Sequence, residues 1–196
     1  MGRGCLASPA LRQEAMVSAI PLTFPDLGLH PGLLHNLERL GFETPTPIQA
    51  EAIPLLIEGR DVRGGARTGS GKTAAFGLPL LQRMVATEPA TRGAVRGLVL
   101  APTRELALQV TDALRDMARG IDGLRLVTVY GGASYTPQLK ALSRGVPIVV
   151  GTPGRVKDLV ERGALDLSAL ELFILDEADE MLRMGFIDDV QALLEQ

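Results

Sequence analysis

One segment of this 196-residue chain has the residue types and the spacing that hold a nucleotide phosphate. Residues 66–73 read ARTGSGKT, which fits the P-loop pattern with alanine in the first glycine position. Successive backbone N–H groups of such a loop face one concavity, and a helix that follows directs its positive dipole end at the same point. The alternative is an ordinary flexible glycine loop. The pattern predicts these phosphate-binding residues: Ala66, Arg67, Thr68, Gly69, Ser70, Gly71, Lys72 and Thr73.

Four side chains could carry the chemistry of phosphoryl transfer. Lys72 would reach the β- and γ-phosphates, and Thr73 would place its hydroxyl on Mg²⁺. LFILDEAD, residues 172–179, puts carboxylates directly after an apolar run of strand length. Asp176 could hold Mg²⁺ through water, and Glu177 could orient or deprotonate an attacking water. The alternative for such an acidic cluster is a turn or a helix cap.

The elements that must position these residues alternate along the chain. Apolar runs of strand length occur in RGLVLAP, LRLVTVYGG, VPIVVGTP and LELFILDEAD, and residues 61–65 are a further short strand candidate. Helical patterns lie between them, such as TRELALQVTDALRDMA and GRVKDLVERGA. This alternation predicts a doubly wound α/β fold with a mostly parallel sheet covered by helices on both faces. Ligands of such sheets bind at the carboxyl edge, where the segments rich in Gly, Thr, Pro and charge should converge.

Two short helices are predicted ahead of this alternation. PGLLHNLERLGF would begin with Pro31 and end at Gly41, and TPIQAEAIPLLIEG has Thr46 as N-cap and Pro47 at its first position. Residues 1–22 show no periodicity and are expected to form a flexible arm. The folded domain is therefore expected to span residues 23–196.

Charge, cysteine content and hydropathy indicate the class of protein but do not identify its ligand. A net charge of −3 means that a surface for nucleic acid must be local rather than a bulk basic field. The single cysteine, Cys5, cannot form an internal disulfide, which is typical of a reducing compartment. No apolar run reaches the roughly 18 residues of a membrane span. We therefore expect a cytoplasmic protein without a membrane partner.

The motifs, in their order along the chain, resemble those of the DEAD-box RNA helicases. Residues 176–179 read DEAD, and residues 42–49, FETPTPIQ, resemble the Q motif, which recognises adenine in that family. Phe24 stands where the family places an isolated aromatic residue. The resemblance covers about residues 22–196. It implies a RecA-like P-loop NTPase fold, ATP and Mg²⁺ as cofactors, and an ATP hydrolase that remodels or unwinds RNA duplexes.

Three residues would recognise the base in this interpretation. The Gln49 amide can both donate to and accept from one adenine edge, a pairing that guanine would not match. Phe42 could stack on the base, and the resemblance adds Phe24 to the nucleotide site. Both phenylalanines could instead pack in the core, and Gln49 could lie on a helix surface.

Three further motifs resemble the segments of the family that contact RNA. They are PTRELA at residues 102–107, a glycine pair, and TPGR at residues 152–155. Their hydroxyls, guanidinium groups and small residues suit a sugar–phosphate backbone, and since none is aromatic the contacts should be independent of sequence. Arg104 and Glu105 could instead be ordinary salt-bridged helix residues. The implied RNA-binding residues are Pro102, Thr103, Arg104, Gly131, Gly132, Thr152, Pro153, Gly154 and Arg155.

The resemblance also implies parts that lie beyond residue 196. Only 20 residues follow Asp176, so the family's Ser-Ala-Thr motif, to which Asp179 would couple the nucleotide site, is expected to be absent. A second RecA-like domain, with its arginine finger and its half of the RNA site, is expected to be absent too. In RecA-like sheets the Ser-Ala-Thr strand lies between the P-loop strand and the Asp176 strand. Its neighbours should therefore keep unpaired backbone groups or close up in an altered register, and stability should suffer.

Two other functions remain open at this stage. The chain could be a non-catalytic RNA- or protein-binding piece that uses the carboxyl edge with or without ATP. It could also be another P-loop NTPase, such as a small-molecule kinase, although PTRELA and TPGR have no role in phosphorylating a metabolite. As a helicase half, these residues alone should hydrolyse ATP near background.

Overall fold

A parallel β-sheet forms the centre of the computed structural model, which describes residues 22–67, 69–87 and 93–195. All three strand pairings are parallel, and the strand order is β2-β3-β1-β4. This arrangement confirms the predicted α/β fold and the four apolar runs read as strands. The strands are β1 (Gly97–Leu100), β2 (Leu126–Val129), β3 (Ile148–Gly151) and β4 (Leu172–Leu175).

Helices precede the sheet and connect its strands. Pro31 and Pro47 occupy the first positions of the first two helices, as predicted, because their fixed φ suits a helix start and their missing N–H needs no partner there. Gly41, with φ of 78°, follows the end of the first helix. The helices are α1 (Pro31–Arg39), α2 (Pro47–Ile57), α3 (Lys72–Ala86), α4 (Arg104–Met117), α5 (Tyr135–Leu142), α6 (Pro153–Glu161), α7 (Ala178–Arg183) and α8 (Ile187–Leu194).

Both faces of the sheet are covered, which explains why its inner strands are apolar throughout. Val99 of β1 faces a core formed with α1, α2, α3 and α4. Leu98 and Leu100 face a second core formed with α6, α7 and α8. All four residues of β1 and all four of β3 are buried. Burial of alternate side chains on opposite faces is the expected pattern for a central parallel strand.

The strand predicted for residues 61–65 was wrong. Residues 60–67 have no regular secondary structure and are mostly exposed, Arg63 among them. Within the described ranges, β4 pairs only with β1, and Leu175 at its end is 38% exposed. A strand forms only where a neighbour satisfies its backbone groups, and no described strand lies between β4 and this segment. Of the two outcomes expected from the sequence, the structure has the unpaired edge rather than a closed-up sheet.

A charged cluster at the amino end of the sheet joins α3, β1 and β4. Arg96 precedes β1 and is only 3% exposed. Its Nε donates to Glu171 Oε1 at 2.5 Å, and its Nη1 donates to the carbonyl of Thr87 at 2.9 Å. Arg83 of α3 donates to the other Glu171 oxygen at 3.0 Å. The Arg96 guanidinium, followed by that of Arg83, holds the pKa of Glu171 below its ordinary value.

We predict that Glu171→Gln destabilises the chain at pH 7 by about 1–2 kcal/mol, because it leaves the buried Arg96 charge without a carboxylate. A lowered pKa in the folded state means that the stabilisation is complete above the ordinary carboxyl pKa of about 4.3 and is lost as pH falls through the lower folded value. The difference between the two proteins in free energy of unfolding should therefore shrink below pH 4. Urea unfolding at several pH values measures it. Glu180→Gln, which removes an exposed carboxylate on α7, is the control and should change little.

Candidate nucleotide site and nucleic-acid interface

The carboxyl ends of the four strands bring most of the predicted site residues to one edge. Asp176 N donates to Leu100 O at 2.9 Å, so the DEAD segment starts where β1 ends. Ala101 N donates to Gly151 O at 2.9 Å, which places PTRELA beside TPGR. Thr152 N continues the pattern by donating to Val129 O at 3.1 Å, next to the glycine pair. The convergence expected from the sequence is therefore present.

The P-loop leads from an exposed segment into α3. Gly69 and Gly71 have φ of 80° and 90°, in the left-handed region, and α3 begins at Lys72. These conformations turn the chain sharply into the helix, whose first N–H groups are free to bind an anion. Thr73 follows on the first turn. The predicted phosphate ligand Thr68 lies outside the described residues.

Two buried hydroxyls at this loop fit a nucleotide. Within the described ranges, Ser70 Oγ and Thr46 Oγ1 are buried without a hydrogen-bond partner. A cavity of about 270 Å³ opens beside them, lined by residues of the α2 start and the loop, with Ala66 on its wall. Unpartnered buried donors next to a helix N-terminus are suited to phosphate oxygens.

An ion pair links the P-loop to the DEAD segment. Lys72 Nζ lies 2.5 Å from Glu177 Oε1, and both side chains are partly exposed. Glu177 has φ of 56° and ψ of 49°, and it is the one non-glycine residue with positive φ in the described part of the chain. Such a conformation costs of order 1 kcal/mol and tends to occur where function needs it. Here it aims the carboxylate across the site at the lysine.

Asp176 is a buried carboxylate beside this pair. It is 7% exposed, and burial raises its pKa, with the Glu177 charge adding to the rise and Lys72 opposing it. A buried acid whose charged form is disfavoured gains from a nearby cation, which suits a metal ion or the lysine. Asp179 is exposed and pairs with Arg183, whose hydrogen bond lowers the Asp179 pKa. Its coupling role stays a prediction.

Gln49 reaches the P-loop rather than solvent. Its side chain is 1% exposed, so the helix-surface alternative does not hold. Oε1 accepts from Thr46 N at 2.9 Å, and Nε2 donates to Gly71 O at 3.1 Å. Both ends of the amide therefore have protein partners, one at the α2 start and one at the loop. Recognition of adenine by Gln49 stays a prediction, and it would require one of these bonds to be exchanged.

The two phenylalanines pack edge-to-face. Their ring centroids lie 6.0 Å apart at an interplanar angle of 72°. Phe24 is 3% exposed and belongs to the core, so core packing describes it. Phe42 is only partly buried and keeps a surface beside α2. Base stacking stays a prediction for Phe42, with Phe24 supporting its ring from behind.

The predicted RNA-contacting residues differ in accessibility. Arg104, Gly131, Gly132 and Gly154 are exposed, whereas Pro102 and Pro153 are buried and support the backbone. Thr103 Oγ1 accepts from Leu106 N at 3.2 Å and caps α4. Thr152 stands at the N-cap position of α6 without a side-chain cap bond, so its hydroxyl is available there.

Arg155 is held in place by neighbours that sequence reasoning did not single out. It is 8% exposed, its Nη2 donates to Ala133 O at 3.2 Å, and its Cζ lies 3.9 Å from the ring centroid of Tyr135. The Cζ of Arg104 lies 4.7 Å from the ring centroid of Tyr130. The letters YGGASY, in which the tyrosines bracket the glycine pair, were the available signal.

Two kinds of feature are absent from the described residues. None of their helices has the length and apolar character to cross a bilayer. Among them, no group of three or more His, Cys, Asp or Glu side chains is arranged to hold a metal ion unaided. A cation at Asp176 would therefore need further oxygen ligands, such as phosphates and water.

Sequence comparison places the chain with helicases. Residues 46–196 match a family model described as DEAD/DEAH box helicase. The chain is 57% identical over 174 residues to the ATP-dependent RNA helicase DeaD of Escherichia coli, a match covering 89% of this chain and 27% of that protein. It is 51% identical to the RNA helicase CrhR of Synechocystis, covering 91% of this chain and 35% of that protein. The chain thus spans about a third or less of these curated relatives.

Solved structures agree with this assignment. A DEAD box protein from the hyperthermophile Methanococcus jannaschii superposes with a TM-score of 0.81 at 44% identity, covering 88% of this chain and 46% of that one. A hypothetical ATP-dependent RNA helicase from Sulfolobus tokodaii gives a TM-score of 0.77 at 41% identity, covering 86% and 47%. The match extends over most of this chain and about half of each neighbour, and it confirms the predicted RecA-like fold.

We predict that Glu177→Gln tightens ADP binding about two- to fivefold, because Lys72 no longer has to leave a carboxylate in order to reach a phosphate. Calorimetric titration with ADP, with and without Mg²⁺, measures the change. Asp179→Asn removes a carboxylate on the same segment that is paired elsewhere, and it should leave the affinity unchanged. Equal tightening in both variants would mean that general charge, and not the Lys72 pair, sets the affinity.

Proposed function

Because this chain belongs to the DEAD/DEAH box helicase family, we propose that it is the ATP- and RNA-binding N-terminal half of an ATP-dependent RNA helicase. The arrangement that carries the proposal is the single edge on which Lys72, Asp176 and Glu177 lie beside the PTRELA and TPGR segments. The proposed domain covers residues 23–196 and the proposed compartment is the cytoplasm. In the whole protein, ATP hydrolysis would drive the remodelling or unwinding of RNA duplexes.

The nucleotide half of the edge would bind ATP together with Mg²⁺. ATP would supply the phosphoryl group, and Mg²⁺ would neutralise part of its negative charge. Backbone N–H groups of residues 69–73 and the start of α3 would hold the phosphates. Lys72 would move to the β- and γ-phosphates, Thr73 would give its hydroxyl to Mg²⁺, and Asp176 would hold the ion through water. The buried Asp176 gains a cation in this way, which offsets the cost of its charge.

Glu177 would have two roles, pairing with Lys72 and activating the attacking water. Its carboxylate cannot perform both at once. In the structure its carboxylate holds Lys72. Once Lys72 is occupied by phosphates, the carboxylate is free to orient the attacking water and accept its proton. The left-handed backbone at Glu177 would keep the side chain at the site in both situations. Catalytic competence would therefore follow from nucleotide binding rather than precede it.

The RNA half of the edge would bind the sugar–phosphate backbone. Arg104 and Arg155 supply positive charge, the exposed Gly131 and Gly132 allow close approach, and Thr152 offers a hydroxyl. None of these motif residues is aromatic, so binding should be independent of sequence. A second RecA-like domain of the whole protein would supply the arginine finger and the remaining RNA contacts.

We predict that the 196-residue chain binds ADP-Mg in preference to GDP-Mg and that Gln49→Glu reduces this preference. The substituted carboxylate still accepts from Thr46 N, but it can no longer donate to adenine or to Gly71 O. Calorimetric titration of both nucleotides separates the two roles of Gln49. Adenine recognition predicts a fall in the ratio of the two affinities, whereas a purely structural role at the P-loop predicts equal losses for both.

Two outcomes of that titration would count against the proposal. Equal binding of ADP and GDP by the unmodified chain would favour a generic P-loop NTPase. Binding of neither nucleotide would mean that the segment around residues 61–67 and 69–73, which lies outside the sheet, does not form a competent site in this chain. Gln191→Glu, which introduces the same change on α8, is the matched control and should behave like the unmodified chain.

We also predict that these residues alone hydrolyse ATP near background and that RNA does not stimulate them, because the proposed arginine finger is supplied by another domain. A phosphate-release assay under multiple turnover, with and without single-stranded RNA, measures this. A rate of ATP hydrolysis that rises with RNA would contradict the proposal that another domain must supply the arginine finger. RNA binding that is indifferent to Lys72→Ala and to added ATP would instead favour a nucleotide-independent tether.

A further inference from the structure

The chain has two tyrosines and no tryptophan, and both tyrosines lie at the RNA-facing edge. Tyr130 directly follows β2 and Tyr135 begins α5, so they bracket the turn that contains Gly131 and Gly132. Each ring receives the guanidinium of a different motif arginine, at 4.7 Å for Arg104 and 3.9 Å for Arg155. Neither tyrosine belongs to the motifs from which the function was proposed.

Tyr135 stands in a connected set of contacts. Its hydroxyl donates to Asp158 Oδ2 at 2.7 Å, and Asp158 Oδ1 accepts from Arg162 Nε at 2.7 Å. These bonds hold the pKa of Asp158 below its ordinary value, with the tyrosine hydroxyl as the largest cause. Arg162 Cζ also lies 5.0 Å from the Tyr135 ring centroid. The ring is thereby fixed against α6, with one face given to Arg155.

Arg155 is left with an unused donor by this arrangement. Its Nη2 donates to Ala133 O, whereas its Nη1 is buried without a hydrogen-bond partner among the described residues. A buried guanidinium nitrogen without an acceptor is costly. A phosphate oxygen is a natural acceptor for it and would reach it once the atoms that cover Nη1 move aside. Stacking on a tyrosine holds the planar group in one orientation without consuming its donors.

The turn between the tyrosines is pinned by a third side chain. Gln138 is 6% exposed, and it accepts from Tyr130 N and donates to Tyr130 O, both at 3.3 Å. It also donates to Ser134 O at 3.2 Å. Gln138 therefore holds the ends of the turn that carries the two tyrosines. The turn in this way sets the positions of the two rings on which the arginines stack.

We propose that Tyr130 and Tyr135 are positioning residues for RNA binding, and that they hold the Arg104 and Arg155 guanidinium groups on either side of the glycine turn to receive two backbone phosphates. The inference rests on the proposed function, in which both arginines contact RNA. It adds that the rings, and not only the charges, determine the affinity. The RNA half of the edge is thus assembled before RNA arrives.

The test is a double-mutant cycle on RNA affinity, measured by fluorescence anisotropy with 5′-fluorescein-labelled decauridine. Tyr135→Leu should weaken binding by about three- to tenfold, the range expected for a partly desolvated cation–π contact. Tyr135→Phe keeps the ring but loses the bond to Asp158, and it should retain affinity to within about twofold. Tyr135→Leu should have little further effect once Arg155→Ala is present. Tyr130 and Arg104 should behave as the second such pair.

Two controls accompany the cycle. The crossed combination of Tyr135→Leu with Arg104→Ala should be additive, because each ring serves its own arginine. Arg115→Ala removes a charge on α4 that is paired with Asp112 away from the turn, and it should leave RNA affinity unchanged. Thermal unfolding of each variant identifies any that fails to fold, and the change in tyrosine emission on RNA binding then tests the inference in its place.

Intrinsic fluorescence gives an independent signature, since all tyrosine emission of this chain comes from the two rings. Addition of unlabelled decauridine should change the emission, and Tyr130→Phe and Tyr135→Phe assign the change to each ring. This inference would be overturned if the effects of the tyrosine and arginine substitutions on RNA affinity were additive within a pair, or if the leucine variants kept full affinity. Either result would leave the proposed RNA binding itself intact. Unchanged affinity in Arg104→Ala and Arg155→Ala would instead overturn the proposed RNA contacts themselves.

Discussion

Strand β1 is hydrogen-bonded on both sides, and the rest of the functional edge takes its position from that strand. Leu100 O accepts from Asp176 N on one side, while Ala101 N donates to Gly151 O on the other. All four β1 residues are buried, so the strand cannot shift without disrupting both cores. The acid of the nucleotide half and the TPGR segment of the RNA half are therefore held at a fixed separation.

The P-loop lacks that support and depends on side chains instead. Residues 61–67 pair with no described strand, and the loop is joined to the sheet edge by the Lys72–Glu177 pair and to α2 by the Gln49–Gly71 hydrogen bond. A partly exposed ion pair contributes little to stability compared with strand pairing. The nucleotide half is consequently the part of the edge whose geometry a bound ligand can most readily change.

The sequence correctly predicted the features that depend on residues close together in the chain, namely helix starts and buried strands. Helix starts at Pro31 and Pro47, and the apolar runs of β1 and β3, follow from φ restriction and from burial on both faces. The strand at residues 61–65 was wrongly predicted because pairing depends on a neighbour that is distant in sequence. Tyr130 was missed for a related reason, since its contact with Arg104 crosses from one element to another and leaves no periodic trace.

The two halves of the edge differ in how far they are prepared for their ligands. On the RNA side, Arg155 is stacked on Tyr135 and its Nη1 has no hydrogen-bond partner among the described residues, so the protein itself sets the orientation of the guanidinium. On the nucleotide side, Lys72 and both ends of the Gln49 amide have protein partners that a ligand must displace. Since preorganised groups lose less entropy on binding, these residues would act as a fixed platform for the proposed RNA contacts. In the proposed function, coupling between ATP and RNA would then arise mainly from rearrangement on the nucleotide side.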